Sequence, residues 1–280
     1  MTDQALADRL GVCSWSLQPR DPADLIAQLK QIGIDKIQLA LDPIREGGAW
    51  ADVGRRLADA GITIASGMFG TVGEDYSTLA TIRRTGGVVP DGTWERNWAN
   101  IRKLVPVAEA LGVKLISFHA GFLPEEPTDP SFDKLVGRLT RIADLFGDAG
   151  MDLAFETGQE DAHTLAGFLD RLDKPNVGAN FDPANMILYA KGDPVESVKV
   201  LMPRVMQIHV KDATPTDTPG EWGSEVPVGT GAVDWAAFLG ALEAGGFGGH
   251  MCIEREAGGD RIGDIRAAKD FVLKTLGEAN

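Results

Sequence analysis

The chain has 280 residues, 44% of them hydrophobic and 24% charged, with no low-complexity tract and a formal charge of −14. That excess of acid argues against nucleic acid, whose binding rests on Lys and Arg neutralising phosphates. No uncharged apolar run approaches the roughly 18 residues of a membrane span. Two cysteines, Cys13 and Cys252, cannot form a disulfide framework and fit a reducing compartment. Met1–Asp8 offers no basic stretch leading into an apolar one, so no secretory leader is expected and a cytoplasmic location is.

Along the chain, five places repeat one pattern, an amphipathic helix followed by Gly, an apolar residue and a strand. They fall at Gly33-Ile34, Gly61-Ile62, Gly112-Val113, Gly150-Met151 and Gly246-Phe247. Gly just past a helix end signals a left-handed backbone that other residues adopt only at a cost. Taken in order, strands are predicted at Val12–Trp15, Lys36–Leu41, Ile62–Phe69, Lys114–Phe122, Met151–Thr157, Val177–Asp182, Val205–Lys211 and His250–Glu256. Between them, Asp21-Pro22 opens the first helix with an acidic cap and a first-turn proline. Further helices are predicted near 45–60, 93–111, 131–149, 161–172, 193–202, 234–244 and 262–277. Strand and helix alternating eight times predict an α/β fold, a (β/α)8 TIM barrel forming a single domain over residues 1–280. An open doubly wound sheet would announce a Gly-rich phosphate loop after its first strand, and Cys13-Ser-Trp-Ser-Leu-Gln18 is not one. Two connections are long: 70–92, containing Arg83, Arg84 and several Gly, and 213–233, rich in Pro, Gly and Thr. Both follow strands, so both belong to the barrel face where active sites are built, and both are read as lids or binding loops.

Side-chain parity then points to a site. In the last four strands the pairs Leu153/Phe155, Ala179/Phe181, Ile208/Val210 and Met251/Ile253 belong outward under the helices. That sends Glu156, Asp182, His209 and Glu254 inward, each near the C-terminal end of its strand. Three carboxylates on one axis repel one another unless a cation neutralises them. Three oxygens and one imidazole form a mostly hard ligand set for one divalent metal ion, Mn²⁺ first, with Mg²⁺, Co²⁺ or Zn²⁺ as alternatives. His119 alternates inward with Ser117 and is read as a substrate contact. Lys211 shares the parity of His209, and Trp15 offers an apolar wall for a substrate. His163 and His250 read as structural, and the two cysteines as buried thiols on neighbouring strands.

The motifs Phe155-Glu156, Phe181-Asp182-Pro-Ala-Asn185, Ile208-His209-Val-Lys-Asp212, Val228-Gly-Thr-Gly-Ala-Val-Asp-Trp235 and Ile253-Glu254 carry a resemblance. The chain resembles the xylose isomerase-like TIM barrel superfamily of sugar isomerases, epimerases and inosose dehydratases, most of all its ketose 3-epimerase-like branch. The resemblance implies that Glu156 and Glu254 both ligate the metal and act as the acid/base pair. It implies a ketose or keto-sugar substrate, abstraction of a proton next to the carbonyl, and a metal-stabilised enediolate. An inosose dehydratase-like lyase would begin with the same step and is the alternative. An endonuclease IV-like phosphodiesterase ranks last, because four His and a charge of −14 do not suit several metals and a basic groove. Where many ketose 3-epimerases carry His three residues after the metal-binding Asp, this chain has Asn185, which can hydrogen-bond a hydroxyl but cannot shuttle protons. That leaves room for a keto-sugar or polyol-derived substrate. A homo-oligomer is a further expectation of the resemblance.

Overall fold

All five predicted helix-end glycines adopt the left-handed region, with φ of 76° at Gly33, 74° at Gly61, 69° at Gly112, 68° at Gly150 and 69° at Gly246. Each lets its helix stop abruptly and sends the next residue into a strand. The structure, a computed structural model, describes residues 6–124, 128–218 and 220–278. Most of Met1–Asp8, and residue 219 within the connection 213–233, therefore lie outside the described residues.

The strands are β1 (Leu10–Cys13), β2 (Lys36–Ala40), β3 (Thr63–Met68), β4 (Leu115–Phe118), β5 (Asp152–Glu156), β6 (Val177–Phe181), β7 (Val205–Val210), β8 (Asp212–Thr214), β9 (Ser224–Val226) and β10 (His250–Ile253). Eight of them close into a barrel in the order β1-β10-β7-β6-β5-β4-β3-β2, while β8 and β9 form a separate antiparallel pair. All barrel pairs are parallel, with Cys252 opposite His209, Glu156 opposite Asn180 and Gly11 opposite Cys252. The chain is a (β/α)8 TIM barrel. No helix among the described residues is long and apolar enough to cross a membrane.

Outward residues of the strands make the core under the helices, as parity required. Leu153, Phe155, Ala179, Phe181, Ile208, Val210, Met251 and Ile253 are each 0–1% exposed. Phe118 stacks on Phe69 with ring centres 4.7 Å apart and meets Phe155 edge-on at 5.6 Å. Each such ring contributes on the order of 2 kcal/mol through burial alone. The barrel interior is different in kind. Gln38, Ser66, Ser117, Asn180 and Gln207 point inward, fully buried, and satisfy one another. Gln38 Nε2 donates to Ser117 Oγ at 2.7 Å, Gln207 Nε2 donates to Asn180 Oδ1 at 3.3 Å, and Ser66 Oγ donates to Gln207. A network so fully paired fixes side chains rigidly beneath whatever sits above it.

Several boundaries differ from expectation, each for a local reason. The first strand ends at Cys13, and Ser14–Leu17 curl into a 3₁₀ turn that carries Trp15 off the strand. Ser14 Oγ takes the N–H of Ala40 and Ser16 Oγ takes that of Arg255, so serine side chains replace backbone acceptors and end the ladder. The fourth strand stops at Phe118 because residues beyond it pair with the preceding loop: Val88 N–H donates to Ala120 O at 3.1 Å. There Gly87 has φ 63°, and a Cβ would stand 2.1 Å from that same oxygen, so only Gly allows the approach. The helix expected near 45–60 is broken at Gly47 and Gly48 into Asp42–Glu46, a 3₁₀ turn and Val53–Asp59. Neither long connection is without structure: 70–92 holds the helix Leu79–Thr85, and 213–233 holds most of the β8-β9 hairpin.

Candidate active site

Glu156 is the last residue of β5, His209 lies within β7, and Asp182 and Glu254 follow β6 and β10 directly. One donor atom from each lies within 4.8 Å of the others, and the four residues are 0–3% exposed. His209 Nδ1 stands 3.3 Å from Glu156 Oε1, 3.4 Å from Glu254 Oε2 and 3.8 Å from Asp182 Oδ2. The parity expectation is thus met geometrically at all four positions.

Neighbours orient each donor. Asp182 caps the helix Pro183–Leu188, its Oδ1 accepting from Asn185 N–H at 3.0 Å, while its own N–H donates to Thr157 Oγ1 at 2.9 Å. Oδ2 is left facing inward. Gln38, its amide nitrogen committed to Ser117, presents Oε1 to His209 Nε2 at 2.8 Å. Asn180 Nδ2 lies 2.9 Å from the same nitrogen, so Nε2 is anchored on the barrel interior and Nδ1 is turned toward the carboxylates. Glu156 Oε2, Asp182 Oδ2 and His209 Nδ1 are all buried without a hydrogen-bond partner. Three orphaned buried donors and acceptors converging on one point are what a cation would satisfy, so the residues fit a divalent metal. Cys13 Sγ also lies close enough to His209 and Glu254 to form a three-residue group. Burial pushes that thiol well up, and it donates to Gln38 Oε1 at 3.3 Å, so the oxygen-rich set is the better ligand group.

Charge at the site is tightly balanced. Burial would raise the Glu254 carboxyl, but Lys211 and His209 hold it well below the usual carboxylate range. Burial alone would lower His209, yet the surrounding Glu254 and Glu156 charges and the nearby Asp182 carboxylate hold the imidazole well above its ordinary range. Burial prevails at Asp182, which is raised despite Lys211 nearby. Lys211 is 4% exposed, its Nζ 2.9 Å from Glu254 and 2.7 Å from Glu256. Three carboxylates in this volume demand positive charge, and Lys211 supplies part of it.

The remaining sequence-derived candidates fall as follows. Trp15 reaches the site from its 3₁₀ turn, and its Nε1–H donates to Glu254 Oε1 at 2.6 Å, a hydrogen bond in addition to the wall expected of it. His119 Nε2 faces Glu156 Oε2 at 3.3 Å, with Gln159 on its other nitrogen. Asn185 Nδ2 donates to Glu156 Oε1 and to Thr157 O, both at 3.1 Å, so much of its amide is spent on holding Glu156. His163 lines a separate cavity of about 270 Å³, and His250 Nδ1 lies 3.3 Å from Arg9 O. Cys252 is buried and free, its thiol pushed up to about 12 by burial.

Above the four residues opens a cavity of about 530 Å³. Sequence reasoning missed much of its wall: Tyr76 from the connection 70–92, Trp222 from the hairpin, Tyr189 after the helix Pro183–Leu188, and Glu256. It also missed Gln38, which the parity of β2 would have placed inward. The Asp212 of the His-Val-Lys-Asp motif is architectural. Its carboxylate accepts from the N–H groups of Ala213, Gly229, Gly231 and Val233 and from Trp235 Nε1, which folds the Val228–Trp235 motif around it.

Comparison with known proteins follows the same outline. Residues 26–275 match the family model described as xylose isomerase-like TIM barrel. A xylose isomerase domain protein from Planctomyces limnophilus is similar at 31% identity and a TM-score of 0.84, over 90% of this chain and 92% of that one. A xylose isomerase-like TIM barrel protein from Mycobacterium smegmatis, in complex with magnesium, superposes with a TM-score of 0.74 at 18% identity, over 100% and 99% of the two chains. An L-ribulose 3-epimerase does so with a TM-score of 0.74 at 17% identity, over 97% and 95%. Among curated proteins, the uncharacterized protein YihM of Escherichia coli (strain K12) is 24% identical over 143 residues. That match covers 50% of this chain and 43% of YihM.

Proposed function

Because the chain belongs to the xylose isomerase-like TIM barrel family, we propose that it is a metal-dependent isomerase or epimerase of a ketose or keto-sugar. The observation that carries this reading is the convergence of Glu156, Asp182, His209 and Glu254, three of their atoms unpartnered, beneath a cavity of about 530 Å³. Those four residues would hold one divalent cation, Mn²⁺ by preference for a set of three oxygens and one imidazole, with Mg²⁺, Co²⁺ and Zn²⁺ as alternatives. When bound, such a cation would supply Lewis-acid stabilisation of the negative charge that develops on a substrate oxygen.

The chain's own groups would then move the proton. Glu254 is held on both oxygens, by Trp15 Nε1 and by Lys211 Nζ, whereas Glu156 keeps Oε2 free beside His119. Glu156 and Glu254 would be the pair of carboxylates that take the proton next to the carbonyl and return it, each acting as base in one direction of the reaction. His119 and Asn185 would keep Glu156 aimed, and His119, 19% exposed at its side chain, offers the proton a way out. A lyase reading draws on Lys211: an ammonium beside Glu254 is placed to hydrogen-bond a departing hydroxyl. The two free cysteines support a cytoplasmic setting.

The test is proton exchange in D₂O with a panel of ketoses, keto-sugars and inososes, with Mn²⁺ and with chelator. Deuterium should enter the carbon beside the carbonyl only when metal is present. Appearance of a conjugated ultraviolet-absorbing product would select the lyase. Metal-independent exchange, or none with any member of the panel, would overturn the reading.

A further inference from the structure

We propose that the substrate is uncharged and bipartite: a hydroxy-carbonyl ring that reacts at the acidic floor, joined to a second ring or apolar group that lies against the aromatic wall. The inference rests on the isomerase/epimerase reading and names its substrate class.

Three observations lead there. First, size: a cavity of about 530 Å³ is in the range of drug-sized ligands and exceeds what one free hexose fills. Second, the wall is aromatic where the floor is ionic. Tyr189 and Trp222 meet edge-on with ring centres 4.6 Å apart, and Leu188 and Met68 also line the cavity. Trp222 Nε1 is buried without a hydrogen-bond partner, a donor that a glycosidic or hydroxyl oxygen would satisfy. Tyr76 lines the cavity from the connection 70–92 and is 44% exposed, so its ring is open to a second planar or ring surface. Third, charge: no arginine lines the cavity among the described residues, and its lysine, Lys211, is engaged by Glu254 and Glu256. Asp42, Glu225 and Glu256 lie at the cavity too. Among the described residues of the lining, a phosphate or carboxylate would meet like charge with no unpaired lysine or arginine to bind it.

A second ring joined at the anomeric carbon prevents that carbon from opening to a carbonyl. The reacting carbonyl must then sit on another ring carbon, which places an oxidation of a ring hydroxyl ahead of this enzyme as the class of reaction that supplies its substrate. Contacts to the non-reacting part raise kcat/KM because their binding energy positions the part that reacts.

The experiment compares deuterium incorporation by the Mn²⁺-loaded enzyme into a keto-hexose with its carbonyl on a ring carbon, its phenyl and hexosyl glycosides, and its phosphate ester. The glycosides should exceed the free sugar in kcat/KM by about ten-fold or more, the worth of burying one further ring. Trp222→Ala should lower kcat/KM for the glycosides about ten-fold more than for the free sugar, and Trp222→Phe, which keeps a ring, should recover most of that ratio. Tyr76→Ala, at a position 44% exposed, should shrink the same ratio. The proposal is overturned if the free sugar or the phosphate ester is preferred, or if the variants lower all substrates equally. Exchange with the free sugar alone sinks this inference and leaves the isomerase/epimerase reading standing. No exchange with any compound sinks both.

Discussion

At the scale of single residues, Glu254 combines two proposed duties that mutation can separate. Glu254→Gln keeps an oxygen for the cation but removes the basic site and one of the two carboxylates that bond Lys211. Metal content should fall only in part, while proton exchange should fall by roughly 10²–10⁴-fold, the usual cost of a lost general base. His209→Ala should lose metal first, with activity partly restored by excess cation. Measuring metal content beside deuterium incorporation checks both, and wild-type exchange in Glu254→Gln would remove Glu254 from the chemistry. Glu160, next to the site and 5% exposed, has one unpartnered oxygen, and burial raises its carboxyl from 4.5 to about 8. Its protonated form belongs to the folded state while the unfolded chain ionises near 4.5, so stability is full below that pH and declines as pH rises toward about 8. Glu160→Gln should therefore stabilise by on the order of 4 kcal/mol near pH 8 and by nothing near pH 4. Thermal unfolding at the two pH values decides it, and an equal effect at both would be inconsistent with a buried neutral acid.

At the scale of elements, two excursions reach over the barrel mouth and are held in different ways. Glu225 on β9 pins the hairpin: it accepts from Arg255 Nη1 at 2.8 Å and from the N–H groups of Glu256 at 2.9 Å and Ala257 at 3.1 Å. The connection 70–92 is held at Gly87, whose N–H donates to Glu74 Oε1 at 3.0 Å, and at Val72, whose N–H donates to Asn97 Oδ1 at 2.7 Å. Each contributes an aromatic side chain to the cavity, so closing or opening either would change access to it. Limited proteolysis should nick 70–92 or 213–233 first in the free enzyme, with protection by substrate. Glu225→Ala should speed cleavage in 213–233 several-fold, since each lost hydrogen bond is worth on the order of 1 kcal/mol. Cleavage that is the same with and without a bound substrate would argue that neither segment acts as a lid.

For the whole molecule, the net charge of −14 favours divalent cations near the barrel mouth and disfavours anionic substrates. Binding of a cation to the folded state alone should raise stability by about 2.7 kcal/mol at a hundred-fold excess over its Kd. In a barrel of this size that is an increase of several degrees in Tm, reversed by chelator. Differential scanning calorimetry with Mn²⁺, with Mg²⁺ and with chelator measures it and ranks the metals without recourse to activity. A Tm indifferent to every divalent cation would contradict a buried ion held by Glu156, Asp182, His209 and Glu254.

The sequence by itself determined the barrel and the four residues at its heart. Both are written in local periodicity: Gly at five helix ends forces the turn, and the two-residue alternation of a strand fixes which side chains face inward. Glu156, Asp182, His209 and Glu254 could be read because each sits on or beside a regular strand, where parity needs no knowledge of neighbours. Only the tertiary structure decided what surrounds them. Tyr76 and Trp222 come from connections with no periodicity, and Trp15 leaves its strand because Ser14 and Ser16 bond across to Ala40 and Arg255. Whether Lys211 was solvated or buried turned on Glu256, a residue beyond the last strand, and whether Asn185 faced substrate or Glu156 turned on a helix cap. These outcomes depend on side chains far apart in the chain competing for the same atoms, and no window of sequence contains both competitors.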